Sequence, residues 1–164
     1  MSSALKNLSD HSNTESPSAK GMHFAILVSE WNPQITQSLY KAAKASLIKQ
    51  GAKAKNIVYQ TVPGSFELSL GAQFAAQLDH IDAVICLGCV IQGETRHFDF
   101  ICNAVANGIT NVGLMYNKPV IFGVLTTNTL KQAQERAGGK HGNKGVEAAV
   151  TAVKMVALKK NIRK

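Results

Sequence analysis

The run Asp82 to Ile91, DAVICLGCVI, constrains the fold more than any other part of the chain. It is apolar almost throughout, with no alternation of wet and dry positions. A strand with one solvated face alternates. A continuous apolar run signals a strand covered on both faces, as in a parallel sheet flanked by helices. The residues that follow, Gly93-Glu94-Thr95 and then His97 with Asp99, read as a turn entering a helix.

The rest of the chain supplies the same units. His23 to Glu30, HFAILVSE, reads as a short buried strand. Asn32-Pro33 opens a helix in which Ile35, Leu39, Ala42, Ala43 and Leu47 keep a helical period, and Gly51 ends it. Asn56 to Val62 is a strand, Pro63-Gly64 a turn, and Phe66 to Leu78 a helix with Leu70, Phe74 and Leu78 on one face. Thr95 is placed to cap a long helix reaching Asn117, and Pro119 begins another strand, PVIFGVL. Thr129 and Gln132 form a capping box for a short helix that Gly138-Gly139 stops. A last helix starts near Asn143, with Val146, Ala149, Val150, Val153 and Ala157 as its buried stripe.

Strict alternation of strand and helix predicts a parallel sheet with helices on both sides. With right-handed crossovers, the expected α/β fold is a flavodoxin-like three-layer α/β/α sandwich with a four-stranded parallel sheet. The expected organisation is a flexible N-terminal arm over residues 1–21, one domain over 22–160 and a basic tail over 161–164.

Composition narrows the function classes. Of the 164 residues 45% are hydrophobic, enough for a packed interior, yet no apolar run approaches the roughly 18–20 residues of a membrane span. The N-terminus lacks the apolar centre of a signal peptide, so the expected location is cytoplasmic. The net charge of +8 does not call for nucleic acid. Lys154, Lys159, Lys160, Arg163 and Lys164 crowd the last helix and tail, where cations complement the helix dipole, and no aromatic residues interleave a basic stripe. An anionic small substrate suits a positive protein equally.

Three cysteines give no disulfide framework. Cys86 and Cys89 form a C-x-x-C, but on a strand their side chains point to opposite faces, which argues against a redox pair or a metal site. No second His or Cys stands at metal-ligand spacing, and no glycine-rich nucleotide motif occurs.

In such a sheet all strand-to-helix turns share one rim, where ligands bind. The rim holds the sole tryptophan, Trp31, as either a flat face for a heteroaromatic ring or a hydrophobic staple under a helix start. Glu67 is either a helix-dipole carboxylate or an acceptor for ligand hydroxyls. His97 stands in the first turn of its helix, where free backbone N–H groups suit an anion. His11, His23, His80 and His141 are less well placed. Arg136 lies at the far end of its helix, roughly 10 Å from the rim, so it should not serve its own chain's site. It is either a C-terminal cation on the dipole or a phosphate clamp for a neighbouring subunit. Phe122, near the start of its strand, is similarly remote.

The segments VPGSFEL, LGCVIQGETRHFDF, PVIFGVLTTNT and QAQERAGGKHGNKGVEAA, in this order and spacing, resemble the lumazine synthase family from about His23 to Met155. The resemblance implies condensation of 5-amino-6-(D-ribitylamino)uracil with 3,4-dihydroxy-2-butanone 4-phosphate. The products are 6,7-dimethyl-8-ribityllumazine, phosphate and water, and neither cofactor nor metal takes part. By the resemblance, Trp31, Ser65, Phe66, Glu67, Cys89, Val90, Ile91 and Phe122 bind the ribitylaminouracil. Glu94, Thr95, Arg136 and Lys144 bind the butanone phosphate, and His97 is the general acid–base. Phe122 and Arg136 come from an adjacent subunit. Many family members carry phenylalanine at the place of Trp31 and a small residue at that of Glu94, whose carboxylate is therefore expected to point outward. Family members form pentamers. The GGKHGNKG link without insertion resembles those that build an icosahedral shell, for which riboflavin synthase is a candidate cargo. Two rivals remain: a non-catalytic flavin or lumazine carrier, which has no use for His97 and Arg136, and a shell protein whose chemistry is secondary.

Overall fold

A computed structural model describes residues 17–162. The expected arm up to residue 16, with His11, and the tail residues Arg163 and Lys164 lie outside the described residues. Ala19 and Met22 are already buried in the core, and the Ala19 N–H donates to the Gln50 carbonyl at 2.8 Å.

The elements are β1 (Phe24–Ser29), α1 (Pro33–Lys49), a 3-10 turn (Ala54–Asn56), β2 (Ile57–Val62), α2 (Leu68–Ala76), β3 (Ala83–Ile91), α3 (His97–Met115), β4 (Val120–Thr127), α4 (Leu130–Glu135), β5 (Ala137–Gly139), β6 (Gly142–Asn143) and α5 (Lys144–Ile162). The main sheet runs β2-β1-β3-β4, parallel throughout. Helices cover both faces, giving the flavodoxin-like three-layer sandwich. Side-chain alternation along the strands separates two cores. Phe24, Ile26, Val28, Ile85, Leu87 and Cys89 pack with Leu39 and Leu47 of α1 and Val153 of α5. Ala25, Leu27, Val84 and Cys86 pack with Leu68 and Ala72 of α2 and Val105 and Ile109 of α3. Each large aliphatic side chain so buried contributes roughly 1.5–3 kcal/mol against exposure. The two cysteines of the C-x-x-C thus belong to opposite layers, as strand geometry requires.

Helices α1 and α5 meet at Gly145, where a Cβ would lie 2.0 Å from the Leu39 carbonyl oxygen. Only glycine permits that backbone approach.

Local structure departs from the sequence reading in several places. Helix α2 is shorter than Phe66–Leu78, because residues 65–67 form the turn. Leu70 and Phe74 share a face, but it is exposed, Leu78 is exposed beyond the helix end at Ala76, and the buried face carries Leu68, Ala72, Ala75 and Ala76. Arg96, not Thr95, occupies the N-cap of α3, while the Thr95 hydroxyl accepts from the His97 N–H at 3.4 Å. Thr129 does cap α4, accepting from Gln132 N–H at 3.2 Å. The glycine-rich link after α4 forms the small antiparallel ribbon β5–β6, with Gly138 and Gly142 at positive φ.

Candidate functional site

In the order β2-β1-β3-β4 the chain leaves β1 in opposite directions, so a crevice opens beyond the carboxyl ends of β1 and β3. A cavity of about 690 Å³ lies there. Three kinds of element line it. The turn after β1 supplies Trp31 and Asn32, and the turn after β2 supplies Gly64, Ser65, Phe66 and Glu67. The end of β3 supplies Cys89, Val90 and Ile91. His97 and Ile101, one helical turn apart at the start of α3, complete it.

Each group is held by local chemistry. Ser65 is buried and sits 3.5 Å from the Ser29 hydroxyl. It fits because residue 88 is glycine, whose Cβ would approach the Ser65 oxygen to 2.6 Å. One carboxylate oxygen of Glu67 accepts from the Gly64 N–H at 2.9 Å, which braces the turn. Trp31 is 72% exposed, and its indole stands at the cavity edge. Phe66 is exposed as well. An aromatic face, a carboxylate, a serine hydroxyl and strand-end backbone groups suit a flat, hydrogen-bonding ligand. Burial pushes the Cys89 thiol up to about 11 and the Cys86 thiol up to about 12, so neither thiol is set up as a nucleophile.

Glu94 and Thr95 do not line the cavity. They are exposed in the turn between β3 and α3.

Phe122, Arg136 and Lys144 are not in this cavity either. Phe122 pairs with Cys86 in the sheet register, three residues short of Cys89 and so roughly 10 Å down the strand. Phe122 and Lys144 line a separate cavity of about 320 Å³, with Glu147 and Thr151. Arg136 joins this group through Glu147. Its Nη2 is 2.9 Å from Glu147 Oε1 and 3.1 Å from Oε2, and its Nη1 donates to the His141 carbonyl at 2.9 Å. Lys144 Nζ is 3.2 Å from Glu147 Oε2. Two cations thus share one largely buried carboxylate and leave a net positive charge. The sequence reading missed Glu147, whose one signal was its place a helical turn after Lys144. It gave Asn32 no role beyond the helix opening, and it missed Ile101, which stands four residues after His97 on the same helix face.

Apart from Glu94 and Thr95, the predicted site residues therefore fall into two groups, one with aromatic side chains, a carboxylate and a histidine, the other rich in cations. Comparison with known proteins assigns the chain. Residues 21–160 match the family described as 6,7-dimethyl-8-ribityllumazine synthase. This chain belongs to the lumazine synthase family. The family is one of transferases in riboflavin biosynthesis. A lumazine synthase of Cytophaga hutchinsonii is 63% identical over 157 residues, covering 96% of this chain and 98% of that protein. One of Parabacteroides distasonis is 52% identical over 156 residues, covering 95% and 98%. One of Porphyromonas gingivalis is 51% identical over 160 residues, covering 98% and 99%. Among the described residues, no helix is long and apolar enough to cross a membrane.

Proposed function

We propose that this protein condenses 5-amino-6-(D-ribitylamino)uracil with 3,4-dihydroxy-2-butanone 4-phosphate, giving 6,7-dimethyl-8-ribityllumazine, phosphate and water. The observation that carries the reading is the convergence of Trp31, Ser65, Glu67, the strand end Cys89–Ile91 and His97 on one cavity. In this reading Trp31 stacks on the pyrimidine, Glu67 and Ser65 take ribityl and ring hydrogen bonds, and backbone groups of Cys89, Val90 and Ile91 fix the ring edge. Phe66 closes the apolar side. The amine adds to the ketone and a first water leaves to form an imine; phosphate is then eliminated, the resulting enol becomes a ketone, and the ribitylamino nitrogen closes the ring onto that carbonyl with loss of a second water. Each step moves a proton, and an imidazole can both give and take one. The reactants bring all the electrons the reaction needs, so no cofactor or metal is required.

The phosphate needs cations, and among the described residues no Lys or Arg lines the His97 cavity. In this reading it sits at the turn Glu94–Thr95 before α3 and is held by Arg136 and Lys144 of a neighbouring subunit, which also brings Phe122. The exposed apolar residues Leu70 and Phe74 on α2, Leu78 just beyond it, and Leu114, Met115, Leu158 and Ile162 on α3 and α5 supply surface for self-association. Pentamers, and a shell of pentamers, are the proposed assembly, with residues 22–160 as the single catalytic domain. Mixing purified protein with both substrates and following lumazine absorbance tests the reaction. Absence of product from correctly assembled protein would sink the reading.

A further inference from the structure

Asn32 has an unusual backbone and an unusual use for its side chain. Its φ of 57° places it in the left-handed region, which Asn and Gly enter most readily. It stands at the N-cap of α1, and its carbonyl accepts from the Ile35 and Thr36 N–H groups at 2.9 and 3.1 Å. An asparagine at an N-cap ordinarily turns its side-chain oxygen onto the helix N–H groups. Here the side chain makes no cap bond. Instead Nδ2 donates to the Cys89 carbonyl of β3 at 3.1 Å. The side chain is spent on tying the β1–α1 turn to the end of the central strand, inside the cavity that Trp31 borders.

We propose that Asn32 is a positioning residue for Trp31: its amide tether to Cys89, together with its left-handed backbone, holds the adjacent indole at the cavity mouth. Glycine supplies the backbone without the tether. Aspartate retains size and tolerance of the left-handed region but presents an acceptor to the Cys89 carbonyl. Alanine loses both features. Asparagine alone among these joins them. The consequence for binding rests on the stacking role proposed for Trp31, whereas the consequence for the indole itself does not.

Trp31 is the sole tryptophan, so its fluorescence reports this one side chain. The test compares full-length, assembled wild type with Asn32→Gly and Asn32→Asp. Time-resolved anisotropy of the substrate-free proteins reads the indole's freedom. Steady-state kinetics with each substrate varied in turn reads its use. Both variants should lower the residual anisotropy. They should raise KM for the ribitylaminouracil roughly threefold to tenfold, the size of a lost stacking contact, and leave KM for the butanone phosphate within about twofold. Wild-type anisotropy in both variants, with each folded by circular dichroism, overturns the tether. Lowered anisotropy with unchanged KM for the ribitylaminouracil upholds the tether and removes the stacking role instead.

Discussion

Replacing Arg136 by alanine should produce two separable defects. In the folded chain the guanidinium lies 2.9 Å from Glu147, and the two side chains are 20% and 14% exposed. Removing one partner of a buried pair costs about 3–5 kcal/mol when the other charge is left alone. Glu147 is not left alone, since Lys144 remains 3.2 Å away. The loss should therefore be nearer about 2 kcal/mol, or a fall in Tm of about 4–8 °C for a chain of this size. The second defect is kinetic. A lost charge-assisted hydrogen bond to phosphate is worth roughly 1.5–3 kcal/mol, so KM for the butanone phosphate should rise about tenfold to a hundredfold. Adding Glu147→Gln in the Arg136→Ala background neutralises the carboxylate that has lost one of its two cations. Calorimetry should then show most of the Tm recovered, while the absorbance assay still shows the raised KM. Recovery of KM along with Tm would refute the reasoning, because Arg136 would then act through fold alone. An Arg136→Ala protein with unchanged Tm would refute the energetic part.

Further outcomes follow from single residues. His97 is exposed in the first turn of α3, so His97→Ala should leave Tm unchanged and lower kcat by roughly 10²–10⁴-fold; wild-type turnover would remove its proton-transfer role. Gly145→Ala drives a Cβ to 2.0 Å from the Leu39 carbonyl, and urea unfolding should show a loss of roughly 3 kcal/mol or more; a neutral effect would mean that α1 and α5 separate freely. Burial raises the Cys86 thiol from 9.0 to about 12. Unfolded thiols ionise first, so the folded state holds the extra proton and its stability falls as pH rises from 9.0 towards about 12. Cys86→Val should flatten the alkaline unfolding profile in that window, and parallel profiles would discount burial as the cause.

Much of the architecture was legible because periodicity and burial are tied together. The uninterrupted apolar run of β3 announced a strand covered on both faces, and Cys86 and Cys89 do part into different layers. The stop at Gly51 and the cap at Thr129 were written in residue chemistry, and both stand where expected. Leu70, Phe74 and Leu78 show the limit of such reading. Their spacing suggested a common face but not what covers it, and among the described residues nothing does. The ribbon β5–β6 was hidden because its glycines signal a break without naming the pairing that follows.

The succession of strands and helices along the chain and the covering of β3 on both faces are consequences of the sequence alone, because each is set by which neighbouring residues prefer water or its absence. The gathering of Trp31, Glu67, Cys89 and His97 in one cavity, the hold of Glu147 on Arg136 and Lys144, and the bond from Asn32 to Cys89 were decided only by the tertiary structure. Those contacts join residues from separate elements. Their distances depend on strand order and helix packing, which no local pattern encodes.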